Sequence, residues 1–333
     1  MDIIQVVAEE NVTQGVEPEQ KIAVGLSACL AGHAVRYNRG HCQSRLCLHT
    51  LSEFFHYDTF CPEMNAGFGT PRPTMRLVGD PDKPELRYTK DTGEDLTEQL
   101  REGFAEKVAM LEHLDGYILM KNSPSCGLDR IKVYQQNGHP HQRRVSGLFT
   151  AALQQRYPQL PIEEEGRLHD PRLYENFILR VYAHHNFRQE VLSNPSAHAL
   201  IQFHSSYKYV VMAHNISAYK ALGRLLAQFK SQSLAAIIEE YFREFMRALA
   251  KPATAKNHAN TLMHILGYLK TSVASCARRN IVEVIDNYRR GQLPLVTPLI
   301  LLTHYIDQSG SDYVRMQRYL RPYPEKLGLA NHV

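Results

Sequence analysis

Residues 114–127 read LDGYILMKNSPSCG, an apolar run that ends abruptly in turn-forming residues. The run up to Lys121 has the length and composition of a buried β-strand. It is followed by two serines, a proline, a cysteine and a glycine, which are residues typical of a turn. A strand tip is a common position for a functional site, because a rigid sheet orients the side chains that follow it. Cys126 is therefore a candidate packing residue, nucleophile or metal ligand.

Similar strand patterns alternate with helical patterns through the first 170 residues. The other predicted strands are KIAVGLSACL (21–30), HYDTFCPEM (56–64), IKVYQQ (131–136) and PIEEEGRL (161–168). One helical face lies between them, formed by Leu100, Phe104, Val108 and Leu111. Asp95 and Glu98 have the spacing of a capping box before this helix. Strands that alternate with helices indicate an α/β domain with a mainly parallel sheet.

From Tyr174 onward the apolar residues follow a helical period almost throughout. A length of 333 residues is enough for two ordinary domains. We therefore predict a flexible N-terminus over residues 1–20 and an α/β domain over residues 21–168. Residues 169–333 are predicted to form an all-α domain.

Charge is divided unevenly between the two halves. Residues 1–170 carry 18 Lys/Arg against 24 Asp/Glu, whereas residues 171–333 carry 20 against 10. A basic half of this kind indicates a polyanionic partner such as RNA. A solvated basic surface without a partner has the same composition, so charge alone does not separate the two readings.

The sequence also restricts the cellular location. No apolar run approaches the roughly 20 residues of a membrane helix, and the polar, acidic N-terminus does not resemble a secretory signal. We therefore expect a cytoplasmic protein. In a reducing compartment, the six cysteines are more typical of metal binding or catalysis than of a disulfide scaffold.

Three of these cysteines, Cys29, Cys61 and Cys126, lie at or just past the C-terminal end of a predicted strand. Such ends share one edge of a parallel sheet, so residues far apart in sequence can converge there. Three thiolates suit zinc or an iron–sulfur cluster. The chain contains no CxxC motif, and three ordinary buried cysteines fit the pattern nearly as well.

The motifs around these cysteines resemble those of a known family. They read VGLSACLAGHAVRYNRGH (24–41), CPEMNAGFGTPRP (61–73) and KNSPSCG (121–127). In this order they resemble the signature of the thiouracil desulfidase family. The segment LIQFHSSYKYVVMAHNISAYKALGRLLA (200–227) resembles the helical domain often fused to that family. The combination resembles the bacterial tRNA 4-thiouridine desulfidases.

This resemblance implies a [4Fe-4S] cluster held by three thiolates only, those of Cys29, Cys61 and Cys126. The fourth iron then has an open coordination position, and it acts as a Lewis acid that binds and polarises a thiocarbonyl sulfur. Water replaces the sulfur without net redox change. By motif matching, Glu63 is the acid/base residue and Ser123 positions the base or the water. Without the resemblance, Glu63 reads as a surface carboxylate and Ser123 as a strand-end cap.

Four further residues, three in the first half and one in the second, are weaker candidates for a role in binding or catalysis. Arg72, between two prolines, would bind a phosphate or a pyrimidine edge, or else form an ordinary surface ion pair. Cys42 and Cys47 are interpreted as incidental. Cys276 is interpreted as a small buried residue of a helix.

Basic residues of the second half are candidate tRNA contacts. Lys220 and Arg224 are four residues apart and share a helical face, and Lys208 precedes them in the same basic segment. Three tyrosines of this segment either stack on bases or face the core: Tyr207, Tyr209 and Tyr219.

Two other classes of function fit the same sequence. The first is a desulfidase of free 2-thiouracil or a related thio-base, with the helical half as an oligomerisation module. The second is a protein without enzymatic activity, a metal-stabilised nucleic-acid-binding or sensor protein. Activity on a free base alone favours the first, and one zinc per chain without sulfide release favours the second.

Overall fold

The structure is a computed structural model that describes residues 21–91, 93–229, 232–327 and 329. The predicted flexible N-terminus, residues 1–20, lies outside the described residues. In chain order the strands are β1 (Ile22–Ser27), β2 (Phe55–Phe60), β3 (Met75–Asp80), β4 (Lys83–Tyr88), β5 (Gly116–Leu119), β6 (Ile131–Tyr134), β7 (Pro140–Val145) and β8 (Ile162–Glu164). The helices of the first half are α1 (Pro62–Asn65), α2 (Thr97–Ala109) and α3 (Leu148–Arg156).

Four strands form a parallel sheet, which we call sheet A, in the order β2-β1-β5-β8. Its strands are paired in parallel at all three junctions. The prediction of an α/β domain with a mainly parallel sheet is confirmed. The carboxyl ends of β2, β1 and β5 are neighbours, because β1 lies between the other two.

A second, mixed sheet has the order β4-β3-β6-β7 and was not predicted. Its β3–β4 and β6–β7 pairs are antiparallel, and only β3 and β6 run in parallel. The predicted strand 131–136 belongs to this sheet as β6. Strand β7 escaped prediction because its sequence, PHQRRV, is polar and it buries no side chain.

Helix α2 buries the face predicted for it, with Leu100, Phe104 and Val108 in the core. The predicted capping box is only half present. The Asp95 carboxylate accepts hydrogen bonds from the Thr97 backbone N–H (3.0 Å) and hydroxyl (2.5 Å). Glu98 does not reach back and instead pairs with Arg101 at 2.7 Å.

Strand β1 depends on a glycine at its centre. Gly25 is opposite Tyr117 of β5, and a Cβ built on Gly25 would lie 2.2 Å from Cδ2 of the Tyr117 ring. Real Cβ atoms never approach a carbon so closely, so the ring occupies the space that only glycine leaves open. The Tyr117 ring therefore packs directly over the backbone of β1 at Gly25.

We predict that Gly25→Ala lowers the free energy of unfolding by about 1–3 kcal/mol or more, because it overpacks a buried contact. Gly223→Ala is the matched control, since its Cβ would meet nothing within 4 Å on an exposed position of a helix. That control should raise the free energy of unfolding by about 0.5–1 kcal/mol. Denaturant midpoints measure both, and an unchanged midpoint for Gly25→Ala would show that Tyr117 is not held as described.

The second half is helical, which confirms the all-α prediction. Its helices are α4 (Pro171–Phe187), α5 (Ala197–His214), α6 (Ile216–Leu226), α7 (Leu234–Ala248), α8 (Ala255–Leu266), α9 (Ser275–Arg289), α10 (Val296–Ser309) and α11 (Asp312–Arg315). Tyr207 and Tyr209 are buried in its core. Stacking on bases is therefore the wrong reading for these two side chains, which face the core.

The two halves share a core across one face of sheet A. Phe177, Ile178 and Val181 of α4 belong to the same buried cluster as Val24 and Leu26 of β1. The predicted boundary near residue 168 therefore falls between segments that bury each other. Removal of the helical half would expose this face of the sheet to water.

A buried ionic cluster fixes the other end of α4. The carboxylate of Asp115, just before β5, is bonded to Nδ1 of His184 (2.8 Å), Nδ1 of His185 (2.7 Å) and Arg188 (3.0 Å). Burial alone would raise the pKa of Asp115, but the hydrogen bonds from the two histidines hold it well below its usual range.

Among the helices of the described residues, none combines the length and apolar character needed to span a bilayer.

Candidate active site

The three cysteines predicted to converge are found at the carboxyl edge of sheet A. Cys29 lies two residues after β1, Cys61 directly follows β2, and Cys126 lies in the loop after β5. Cys29 and Cys126 are buried. A charge on any of the three affects its neighbours, since Cys126 is under the influence of both Cys61 and Cys29. Three adjacent strands thus bring three thiols into one buried region.

Burial raises the pKa of all three thiols. The pKa of Cys29 rises to about 12, first because of desolvation and then because of the neighbouring Cys61 and Cys42. Desolvation also raises the pKa of Cys61 and raises that of Cys126 well above its ordinary value. Arg36 and Arg72 lower the pKa of Cys29 and Cys61, but they offset burial only in part, so these groups are neutral thiols without a bound metal. A bound metal reverses that preference and holds them as thiolates.

The Tyr117 hydroxyl is a buried polar group beside these thiols. It has no hydrogen-bond partner among the described residues, and burial raises its pKa, with further increases from Cys126, Asp58, Cys61 and Cys29. A buried hydroxyl without a partner costs free energy, so native proteins usually satisfy it. The orphan hydroxyl is therefore a donor available to a group bound near these thiols.

The three cysteines do not share a single-ion metal site. In the described part of the chain, no group of three His, Cys, Asp or Glu side chains is close enough to hold a metal ion. A single zinc needs every ligand within about 2.0–2.3 Å. A cluster binds its cysteines on different irons, so they lie farther apart. The three cysteines therefore do not form a site for a single zinc ion in the described structure, and the wider spacing that a cluster allows is compatible with them.

Glu63 lies next to the cysteines, in the first turn of α1. Its Oε1 accepts hydrogen bonds from the hydroxyls of Ser125 (2.8 Å) and Ser123 (3.3 Å). Its Oε2 accepts from Nε of Arg72 (3.1 Å) and also from Nη2 of that side chain. Both oxygens are therefore oriented, and the predicted acid/base residue shares one network with the predicted positioning serine.

Arg72 is buried and directed into the protein. Besides Glu63, its guanidinium donates to the carbonyl oxygens of Gly69 (2.6 Å) and Val35 (3.0 Å). A surface ion pair is therefore the wrong description of this residue. Contact with a phosphate or a pyrimidine edge stays a prediction, and the observed contacts give Arg72 a different task, the orientation of Glu63.

Ser123 has both of the roles considered for it. Its Oγ accepts hydrogen bonds from the backbone N–H groups of Ser125 (3.2 Å) and Cys126 (3.1 Å), which caps the turn, and it also contacts Glu63. Sequence reasoning missed Ser125, which is fully buried. The motif SPSC contains both serines, but only the structure shows that Ser125 makes the shorter bond to Glu63.

The remaining cysteines occupy three different environments. Sγ of Cys42 accepts a hydrogen bond from Arg36, and its backbone N–H donates to the Cys29 carbonyl at 2.9 Å. Cys47 is fully buried, and desolvation raises its pKa to about 11. Cys276 is exposed, so the prediction that it is buried is wrong. It lies in the first turn of α9, whose buried residues begin at Ile281.

The candidate RNA contacts of the second half are separate from this site. Nζ of Lys208 lies over the rings of Tyr209 (4.8 Å) and Tyr313 (4.7 Å). Lys220 and Arg224 are exposed on α6. Within the described residues, no hydrogen bond or ion pair joins any of the three to the cysteines. Their role in binding RNA stays a prediction.

A cavity of about 520 Å³ lies in the helical half, and its lining includes His214, His258, Leu299 and Tyr319. None of the cysteines, serines or acidic residues of the three sequence motifs lines it. The chemistry predicted from sequence is therefore located at the sheet edge and not in this cavity.

Comparisons with known proteins divide the chain in the same way. Residues 24–165 match the family described as 2-thiouracil desulfurase, and residues 208–324 match a family described as a protein of unknown function, DUF1722.

Two curated proteins and one solved structure are also similar to the chain. The uncharacterized protein YbgA of Escherichia coli (strain K12) is 31% identical over 159 residues, which is 47% of this chain and 94% of that protein. The uncharacterized protein YbbK of Bacillus subtilis (strain 168) is 34% identical over 135 residues, 38% of this chain and 86% of that protein. The structure of the [4Fe-4S]-dependent thiouracil desulfidase TudS is 25% identical, covering 48% of this chain and all of that one. Its TM-score is 0.35.

Proposed function

The first half of this chain belongs to the 2-thiouracil desulfurase family, and from that premise we propose that the protein is a desulfidase that converts 4-thiouridine in tRNA to uridine. One observation carries the proposal. Cys29, Cys61 and Cys126 follow three adjacent strands at the carboxyl edge of sheet A, and Glu63, two residues after Cys61, is a carboxylate held by two serines and an arginine.

In this proposal the three thiolates hold a [4Fe-4S] cluster. When bound, the cluster supplies one open iron, a Lewis acid suited to a soft thiocarbonyl sulfur. Three protein ligands are consistent with such an opening, because a fourth cysteine would close it. The orphan Tyr117 hydroxyl would donate a hydrogen bond to a sulfide of the cluster or to the substrate sulfur.

Glu63 would act as the general base. Its carboxylate takes a proton from the attacking water, and the same proton is available to the sulfur as the carbon–sulfur bond breaks. One water is consumed and one hydrogen sulfide is released for each thiocarbonyl that becomes a carbonyl. No electron donor or acceptor enters this balance, so the exchange is hydrolytic.

The neighbours of Glu63 would set its geometry. Arg72 holds Oε2, which leaves Oε1 to the hydroxyls of Ser125 and Ser123. A substrate or water that replaces one of these hydroxyls as the partner of Oε1 would meet a carboxylate already oriented. Such orientation lowers the cost of reaching the reactive geometry.

The choice of tRNA as substrate is supported by the basic second half, which has an excess of ten positive charges (20 against 10). A second candidate is a desulfidase of free 2-thiouracil, and the description of the matching family favours it. The two candidates use the same site and differ in what the helical half contributes.

A comparison of substrates separates these two functions. We expect the cluster-loaded protein to release sulfide from tRNA that contains 4-thiouridine with a kcat/KM at least about tenfold above that for the free nucleoside, because contacts remote from the base contribute to binding. Free 2-thiouracil is the third substrate. Sulfide release from 2-thiouracil with none from tRNA would contradict the proposal and support the second candidate. If none of the three substrates releases sulfide, both candidate functions are wrong.

A further inference from the structure

A long stretch of the otherwise acidic first half contains no acidic side chain. Residues 21–52 include four Lys/Arg and three His but no Asp or Glu. Its most exposed part is the segment from residue 33 to residue 41, HAVRYNRGH, which we call the basic loop. Residues 21–52 therefore carry a local excess of positive charge, which attracts a polyanion.

The basic loop presents an aromatic ring and cationic side chains to solvent. His33, Tyr37, Arg39 and His41 are all exposed, and the exposed fraction of Tyr37 is 41%. The half-buried Arg36 guanidinium lies 5.8 Å from the centre of the Tyr37 ring and supports it. An exposed ring beside positive charge is the combination that binds single-stranded nucleic acid.

Arg39 has an unusual backbone conformation. Its φ angle is +60°, in the left-handed region that side chains other than glycine and asparagine seldom adopt. Its Nε donates to the Thr70 carbonyl at 3.4 Å. Within the described part of the chain, no hydrogen bond or ion pair is recorded for its two terminal nitrogens. The guanidinium is therefore held at the surface with donors available.

The loop is attached directly to the residues around Glu63. The carbonyl oxygens of Tyr37 and Val35 accept hydrogen bonds from the backbone N–H (2.9 Å) and Nη2 (3.0 Å) of Arg72, the partner of Glu63. The Thr70 hydroxyl donates to the Arg36 carbonyl at 2.9 Å. A ligand bound by the loop is thus held in a fixed relation to the Glu63 carboxylate.

We propose that the basic loop binds the RNA strand next to the thiolated nucleotide, with Arg39 on a phosphate and Tyr37 stacked on a neighbouring base. The inference rests on the proposed function, because it names the part of the chain that delivers the nucleotide to that site. A stacked nucleotide must leave its neighbours before its sulfur reaches a recessed centre. A ring that stacks on the adjacent base takes the place of the lost stacking partner, and the phosphate contact fixes the strand.

The test is the affinity of the full-length, cluster-loaded protein for 4-thiouridine-containing tRNA, measured against salt concentration. Arg39→Asn removes the charge and keeps a residue that tolerates positive φ. We expect it to weaken binding by roughly threefold to tenfold and to lower the slope of log affinity against log salt by about one. Tyr37→Ala should weaken binding by about tenfold with an unchanged slope, because stacking releases no counterion.

Two controls make these results specific. Arg39→Lys restores the charge and should restore the slope. Arg143→Gln changes an exposed arginine on β7 that pairs with Asp82, and it should leave both affinity and slope at the wild-type values. If Arg39→Asn and Tyr37→Ala both keep the wild-type affinity and salt slope, the basic loop does not bind the RNA strand, and the proposed tRNA substrate is unaffected by that result. A wild-type protein that binds no tRNA, yet releases sulfide from a free thio-base, would overturn the tRNA substrate and this inference together.

Discussion

Cys126→Ala is expected to abolish cluster loading, so that the anaerobically reconstituted variant retains almost no iron or acid-labile sulfide. Two remaining thiolates, Cys29 and Cys61, do not hold four irons against loss to solvent. The Cys126 thiol is buried, and its pKa is raised well above the ordinary value, so only a bound metal keeps it ionised. The expected loss is complete, which makes this the largest effect among our predictions.

Cys47→Ala is the matched control for that experiment. Cys47 is fully buried, close to the burial of Cys126, but it is not one of the three proposed ligands. Its substitution should cost about 1 kcal/mol of stability through lost packing while iron content stays at the wild-type value. Cys276→Ala, on the surface, should change neither quantity. Full iron content in Cys126→Ala would mean that the cluster is held by other residues.

Glu63→Gln is expected to lower kcat by about 10²–10⁴-fold while iron content and tRNA affinity stay near the wild-type values. The amide is nearly isosteric and still accepts a hydrogen bond, but it cannot take a proton from water. Ser125→Ala and Ser123→Ala should have smaller effects, because each removes one of two hydroxyls that contact Oε1.

Arg72→Lys tests whether the orientation of Glu63 contributes to its reactivity. A lysine keeps one positive charge but cannot supply two parallel donors to Oε2. An intermediate loss of kcat with full iron content is therefore expected for Arg72→Lys.

Near-normal turnover of Glu63→Gln would remove this carboxylate from the mechanism, whatever the result for Arg72→Lys.

The part of the site that sequence predicts well is the part that depends on one parallel sheet. KIAVGLSACL, HYDTFCPEM and LDGYILMKNSPSCG each show an apolar strand followed by turn residues, so the common edge of Cys29, Cys61 and Cys126 follows from the topology of parallel strands. The contact between Glu63 and the serines does not follow, because it depends on how two loops fold toward each other.

The predictions that were wrong concern burial in loops and on helix faces. Arg72 lies between two prolines in a segment that looks exposed, yet Glu63 and two carbonyl oxygens hold it inside the protein. Cys276 was predicted to be buried but is exposed, because the start of α9 faces solvent. Tyr207 illustrates the same ambiguity, since a tyrosine on a helix serves a core or a surface equally well until its neighbours are known.

The second sheet shows a different limit. The polar segment of β7 forms a strand because it pairs with β6. A bulge between Lys132 and Tyr134 interrupts that pairing. Pairing of this kind is a tertiary effect that outweighs the local propensity of the residues. The orphan hydroxyl of Tyr117 is likewise invisible in the sequence, because a tyrosine in a buried strand ordinarily finds a partner.

The most direct test of the central claim is a single reaction in isotopically labelled water. Cluster-loaded protein is incubated anaerobically, without reductant, with tRNA that contains 4-thiouridine, and the digested nucleosides are analysed by mass spectrometry. We predict that 4-thiouridine is replaced by uridine carrying one labelled oxygen, and that one sulfide is released for each uridine formed. Unchanged 4-thiouridine in the presence of an intact cluster, or uridine without the label, would contradict a hydrolytic exchange at the site of Cys29, Cys61 and Cys126.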